Sequence, residues 1–503
     1  MIATVSSATV LGVTGQPVNV EVHVGPGLPG FQMVGLPDLA CREARDRVRA
    51  ALLSSALEWP NKRITVNLAP SGVRKAGAGL DLAIAVGLLV ANEVIAADQV
   101  ARMVFVGELG LDGSLRELPG VAPMVACRSD QIAVVPSGSW HEARAVSGGE
   151  VRCASSLREV VFALGGGRWP DPPPEAAAYV GPPVPDLAEV RGQQQARLGL
   201  EIAAAGGHHL MLVGPPGSGK TMIAQRLVGV LPPLDPDTAL EATMIHSAAG
   251  ARRWRAGVVR VPPFEAPHHS SSMVALIGGG SQQLRPGLIS LAHGGVLFLD
   301  ELGEFAPAVL DALRQPLEEG VIRVARANCS ATLPARFQLV AATNPCPCGG
   351  GPPGSCECDE AARGRYLRRL SGPLLDRFDL RVGVQRTGVE DLIAHGGGEP
   401  TAVVRDRVLH ARERARRRAG CLNAELHGAL LDRHAPVSVA ATHLLRHELE
   451  TNRLSGRGLH RIRRVARTIA DLEGDHDVVE ESHVALALQL RVHLRPPARR
   501  DAA

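Results

Sequence analysis

The chain has 503 residues, 45% of them hydrophobic and only 3% aromatic, with a formal net charge of +3. This length exceeds what one hydrophobic core organises and implies roughly two to four domains. The near-balanced charge excludes a globally basic surface, so any nucleic-acid contact must come from local patches. Scarce aromatics argue against a stacking platform for single strands.

The first residues, MIATVSSATVLGVTG, place no basic region ahead of apolar ones and do not read as a secretory signal. VNVEVHV (18–24) alternates as a half-buried strand does. Asp38 is placed to cap a helix through CREARDRVRAALLSSAL. RITVNLAP (63–70), MVFVGELGL (103–111) and QIAVVPSG (131–138) read as strands, and REVVFALGG as a helix. The longest apolar stretch, Leu80 to Ala91, is too short to span a bilayer and carries Asp81. The expectation is a soluble, cytoplasmic protein without membrane association. An α/β or α+β first domain covers residues 1–167. GGGRWPDPPPEAAAYVGPPVPDL then has the Pro and Gly density of a linker, set at 168–185. Residues 186–386 alternate strand and helix patterns in the doubly wound manner. Residues 387–503 hold amphipathic helices, including HRIRRVARTIADLEG, with no strand pattern.

HLMLVGPPGSGKT (209–221) is an apolar strand running into G-x-x-x-x-G-K-T. Such a loop (Gly214, Pro215, Pro216, Gly217, Ser218, Gly219) turns backbone N–H groups inward around phosphates, at the positive end of the following helix. Lys220 is expected to reach the β- and γ-phosphates of ATP, and the Thr221 hydroxyl to ligate Mg²⁺. GGVLFLDEL supplies a second apolar strand ending in Asp300, expected on the Mg²⁺ shell, and Glu301, expected to polarise the attacking water. An acidic pair after a strand is common alone; about eighty residues after a phosphate loop it is specific. Asn344, ending LVAATNPC, is placed to orient water, although a turn Asn before Pro345 is the plainer reading. Arg377, in SGPLLDRFDL, reads as an arginine finger for a neighbouring subunit or as a surface ion pair.

Taken together, GLPGFQMVGLPD, RDRVRAALLSS, RITVNLAP, the phosphate loop, APHHSSS, PGLISLAHGGVLFLDEL, NPCPCG, SGPLLDRFDL and RVARTIADL resemble the motifs of the ComM (YifB) family of magnesium-chelatase-like AAA+ ATPases over nearly the whole chain. The resemblance implies an α/β fold: a P-loop AAA+ core with a C-terminal helical lid. It implies a homohexameric ring motor associated with branch migration of DNA. It casts Asp300 and Glu301 as the Walker B pair, Asn344 as sensor 1, Arg377 as the finger and Arg464 as the sensor-2 arginine, with Arg461 and Arg463 crowding that motif. GELGLDGSLRELPGV and KAGAGLDLAIAVG are similar to core segments of the Lon-type protease domain. Gly79 stands where that domain has its nucleophilic Ser, and Ala122 about where it has its Lys, so this Lon-like α/β domain is expected not to be proteolytic.

CPCGGGPPGSCEC brings Cys346, Cys348, Cys356 and Cys358 into two C-x-C pairs. Four thiolates suit a structural Zn²⁺; a reduced exposed loop and a labile disulfide are the other readings. Candidate DNA contacts are Arg285, in the glycine-rich segment 273–287, and Arg323 and Arg326, in the hairpin-like segment 319–331, where charge would meet phosphate without sequence readout. Pairing with acids between subunits is the competing reading. The basic run RDRVLHARERARRR spreads its arginines over several helix faces and reads at least as readily as a solvated or subunit-contacting helix as it does as a DNA patch. Adjacent His268 and His269 cannot easily share an ion and read as structural or coupling residues near the ATP site. The leading function is an ATP-driven translocase or helicase on branched DNA. A chelatase-like motor and a protein remodeller are the alternatives.

Overall fold

The computed structural model describes residues 1–72, 75, 77–174, 184–251, 257–280, 284–326, 329–350, 356–370, 372–388 and 397–492. Much of the expected linker, residues 175–183, lies outside them, as do residues 281–283 of the glycine-rich segment.

The N-terminal region is built on a mixed seven-stranded sheet. Its strands are β1 (Ile2–Leu11), β2 (Thr14–Gly25), β3 (Gly30–Val34), β4 (Arg63–Ala69), β5 (Met103–Phe105), β6 (Ile132–Pro136) and β7 (Val151–Ala154), in the order β3-β4-β2-β1-β5-β6-β7. β1 and β2 form an antiparallel hairpin from Ile2 opposite His23 to Leu11 opposite Thr14. The sequence reading assigns no strand to β1. Its inward positions mix Ala3 and Val5 with Ser7 and Thr9, so the apolar alternation is hidden. Ser7 is tolerated there because its hydroxyl donates to Phe105 O at 2.7 Å. The strand expected over 103–111 stops at Phe105, and Glu108–Leu109 pairs instead with Leu115–Arg116 in a two-stranded ribbon. Asp38 caps α1 (Leu39–Ser54) by accepting from Cys41 N at 2.8 Å. α2 (Asp81–Ala91) is buried at every residue, which explains its unbroken apolar run.

The central region has a five-stranded parallel sheet. Its main elements are α3 (Gln194–Gly206), β8 (Leu210–Val213), α4 (Lys220–Val230), α5 (Pro236–Ala249), β9 (Phe264–Glu265), β10 (Val296–Leu299), the hairpin β11 (Val321–Arg326) and β12 (Cys329–Pro334), β13 (Gln338–Thr343) and β14 (Leu380–Gly383). The sheet order is β9-β10-β13-β8-β14. β8, β10 and β13 are buried throughout, as central parallel strands covered on both faces must be. Their continuous apolar runs follow from that.

The last region is helical: α6 (Thr401–Ala419), α7 (Val439–Glu450), α8 (Gly456–Glu473) and α9 (Glu481–Gln489). It shares one apolar core with a face of the parallel sheet, where Val408 and Ile462 join Leu200, Leu212 and Val382. Polar anchors add to this. Asp379 is buried just before β14, with Arg464 Nη2 at 3.1 Å, Arg461 Nε at 3.6 Å and His208 Nδ1 at 3.5 Å. The basic run on α6 is largely spent inside the chain. Arg407 pairs with Glu201 and Glu399, Arg418 with Asp471, and Arg405, Arg412 and Arg414 donate to the carbonyls of Gly229, Ala204 and Asp471.

The N-terminal and central regions also touch. Ser247 on α5 accepts from Gly120 N through its carbonyl (2.9 Å) and from Ala122 N through its hydroxyl (3.2 Å). Val13, in the β1–β2 turn, joins the core that contains Leu333 of β12. Among the described residues no helix is long and apolar enough to cross a membrane.

Candidate nucleotide site

Three adjacent parallel strands end side by side at one edge of the central sheet: β10, β13 and β8. In open α/β sheets this carboxyl edge is where ligands bind. The loop after β8 begins at Gly214, where an added Cβ would lie 2.1 Å from Val384 O. Only glycine fits that approach. Gly217 and Gly219 have φ of 75° and 86°, the left-handed values that turn N–H groups toward a common centre. α4 starts directly at Lys220 and aims its N-terminus at the same space.

Lys220 is nearly buried. Its ammonium donates to Gly214 O and Pro215 O at 2.8 Å each and to Asn344 Oδ1 at 3.2 Å. Burial lowers its pKa, and the charges of Asp300 and Glu301 oppose that shift. Thr221 Oγ1 donates to Asp300 Oδ2 at 2.6 Å. The loop, the acidic pair and Asn344, far apart in sequence, therefore meet. Glu301 adopts φ 51°, unusual for a residue with a Cβ and worth about 1–3 kcal/mol of strain. Its N–H is held by Asp300 Oδ1 at 2.9 Å, and its carboxylate is exposed. A cradle of inward N–H groups, a near-buried ammonium and a hydroxyl–carboxylate pair fit a nucleotide triphosphate with its magnesium ion.

Three further residues line this arrangement. His269 Nδ1 stands 3.5 Å from Glu301 Oε2, which places one of the paired histidines at the acidic pair. Tyr366 OH bonds Thr343 Oγ1 at 3.0 Å and donates to Asn344 O at 3.2 Å, fixing the end of β13. Gln193 Nε2 donates to Ser218 O (3.3 Å), Gln385 O (2.5 Å) and Thr387 Oγ1 (3.2 Å), tying the loop to the exit of β14. Tyr366 sits in an arginine-rich helix without a motif, and Gln193 acts across long sequence separations, so neither gives a local signal.

Residues 186–392 match the family described as magnesium chelatase, subunit ChlI. Residues 20–138 match subunit ChlI of Mg-chelatase, and 398–491 match the ChlI C-terminal family. The competence protein ComM of Haemophilus influenzae is 42% identical over 506 residues, covering 98% of both chains. The YifB protein of Escherichia coli is 42% identical, covering 97% of this chain and 96% of its own. A protein of Mycobacterium tuberculosis is 47% identical over 93% of this chain and 94% of its own. The chain belongs to the ComM/YifB family of magnesium-chelatase-like proteins. That family is of the AAA+ type, which agrees with the mixed α/β fold and its parallel sheet.

In this ComM/YifB chain Arg377 and Arg464 both lie toward the opposite edge of the sheet. β14 runs parallel to β8, with Leu380 opposite Leu210, so Arg377 precedes the edge opposite the phosphate loop. It pairs with Glu318, and burial together with the charges of Arg457 and Arg314 lowers its pKa. Arg464, expected as the sensor-2 arginine, lies on α8. It binds Asp379 and Ala424 O (2.7 Å) at that opposite edge, so it is not brought to the phosphates of its own chain. Arg285 is exposed on a short strand, Arg323 pairs with Glu319, and Arg326 ends β11. The four cysteines of the C-x-C pairs converge just beyond Asn344. Gly79 and Ala122 are both enclosed, with an added Cβ at Gly79 meeting Leu118 Cδ1 at 2.8 Å.

Proposed function

We propose that the chain is an ATP-hydrolysing ring motor that acts on DNA, moving branch points during homologous recombination or transformation. The observation that carries the ATPase part is the junction of Lys220, Thr221, Asp300, Glu301 and Asn344 at one sheet edge. The DNA part rests on the near-full-length similarity to a competence protein.

Lys220 leaves its carbonyl acceptors for the terminal phosphates, matching their charge at modest reorganisation. A magnesium ion held by Thr221 and Asp300 would neutralise charge between the phosphates. Glu301 takes the proton of the attacking water, and Asn344 orients that water by its amide. His269 holds the Glu301 carboxylate in place. Arg377, on the far edge of the sheet, serves the site of a neighbour, and the homohexameric working form follows from the family resemblance. The C-terminal helices act as the lid. The N-terminal region is a Lon-like scaffold without protease chemistry, because Gly79 and Ala122 supply neither nucleophile nor base. Arg285, Arg323 and Arg326 reach DNA phosphates in the ring pore. The cytoplasm is the expected location.

A mobile four-way junction tests this reading. ATP-dependent conversion to two duplexes is expected, with Glu301→Gln inactive. Active hydrolysis with a stationary junction would refute the DNA role. A second reading, a chelatase-type motor, is favoured by the family descriptions, and would instead show hydrolysis responding to a metal-inserting partner protein.

A further inference from the structure

Two short segments, 346–348 and 356–358, bring four sulfurs together beside the nucleotide site. The Sγ atoms of Cys346, Cys348, Cys356 and Cys358 all lie within 4.8 Å of one another. Cys346 Sγ and Cys348 Sγ are 3.4 Å apart. A disulfide needs about 2.05 Å, so these are separate thiols. Tetrahedral zinc at about 2.3 Å from each sulfur sets the sulfurs roughly 3.8 Å apart, and the observed spread brackets that value. Buried Cys41 and Cys153 instead belong to no such sulfur cluster among the described residues. Convergence of four thiols in a half-exposed loop has no packing reason. The turn is also shaped for thiolates. Gly349 N donates to Cys346 O at 3.0 Å, and Gly350 N donates to Cys348 Sγ at 3.4 Å, the kind of second-layer N–H that steadies a metal ligand.

The same turn rests on the phosphate loop. Gly349 has φ 75°, and a Cβ there would lie 2.3 Å from Pro216 Cδ. Two residues before Cys346, the backbone carbonyl of Asn344 is held by Tyr366. We propose that Cys346, Cys348, Cys356 and Cys358 bind one structural zinc ion, which fixes segment 344–349 against Pro216 and so sets the position of Asn344 beside Lys220. The metal site stands independently of the motor reading; its effect on nucleotide binding rests on that reading.

The test uses the full chain, purified under reducing conditions without chelator or metal-affinity resin. Elemental analysis should find about one zinc per chain, released by a mercurial as four thiols are titrated. Cobalt reconstitution should give the intense visible bands of a tetrahedral thiolate site. Cys348→Ser with Cys358→Ser should lose the zinc and bind a fluorescent ATP analogue several-fold more weakly. Less than about 0.2 zinc per chain, both as purified and after zinc reconstitution, would overturn the site, as would iron or a Cys346–Cys348 disulfide in its place. Zinc loss with unchanged nucleotide affinity would overturn the coupling. Should the double variant not fold, the wild-type zinc content and mercurial titration still decide whether the site exists. Failure of the wild-type chain to bind the analogue would count against the motor reading alone, since zinc content does not depend on it.

Discussion

Asp379→Asn removes one negative charge and almost no volume from the joint between the C-terminal helices and the parallel sheet. Burial alone would raise the Asp379 pKa, but His208 and the Arg464 guanidinium hold the carboxyl well below the usual carboxylate range. The carboxylate faces Arg464 at 3.1 Å and Arg461 at 3.6 Å. Breaking a buried pair by removing one partner costs about 3–5 kcal/mol, because the remaining charges stay desolvated. The Arg464 side chain is 20% exposed, and the Arg461 side chain 10%, so partial hydration favours the lower end, about 3 kcal/mol. For a unit of some 150–250 residues that corresponds to a fall in Tm of roughly 6–12 °C. Calorimetry of the full chain reads the shift, and hydrogen exchange should show α8 opening first. Combining Arg464→Met with Asp379→Asn should recover part of the loss, as coupled neighbours do. A fall below about 2 °C with unchanged protection of α8 would refute the account of this joint.

Glu301→Gln should leave ATP-analogue affinity nearly unchanged and slow single-turnover hydrolysis by about 10²–10⁴-fold, the usual contribution of a general base. Gly214→Ala should abolish analogue binding measured by fluorescence, since its Cβ would meet a backbone carbonyl at 2.1 Å. Stability should also depend on acid. Burial pushes His209 down to about 4, and its Nδ1 must stay unprotonated to accept from Leu339 N at 3.0 Å. Below its ordinary value the unfolded chain takes up a proton that the folded chain does not. Stability is therefore full above about pH 6.5 and falls as pH drops toward about 4, by up to about 3 kcal/mol. Urea denaturation across that window should show the slope, and His209→Gln should flatten it.

The candidate nucleotide site is largely legible in the sequence because its parts are local. The phosphate loop must follow a buried strand and open a helix, and Asp300 and Glu301 must follow another, so each motif carries its own context. The hairpin β11–β12 was likewise visible in segment 319–331. What stayed hidden depends on pairing across the chain. β1 was masked by inward Ser7 and Thr9, whose polarity is tolerated only beside neighbouring strands. The pairing of Arg464 with Asp379, 85 residues away, likewise has no local signal. The run of arginines on α6 leaves its partners open in the sequence, and Glu201, Glu399 and Asp471 draw several inward. Tyr366 and Gln193 reach the site only through the fold.

The central claim is a nucleotide-driven motor that responds to DNA. Its most direct test is the ATPase rate of the full chain with no DNA, linear duplex and four-way junction, with Lys220→Ala as the blank. The account predicts hydrolysis several-fold faster on branched than on linear DNA, and none with Lys220→Ala. Robust, Lys220-dependent hydrolysis that ignores every DNA would contradict it.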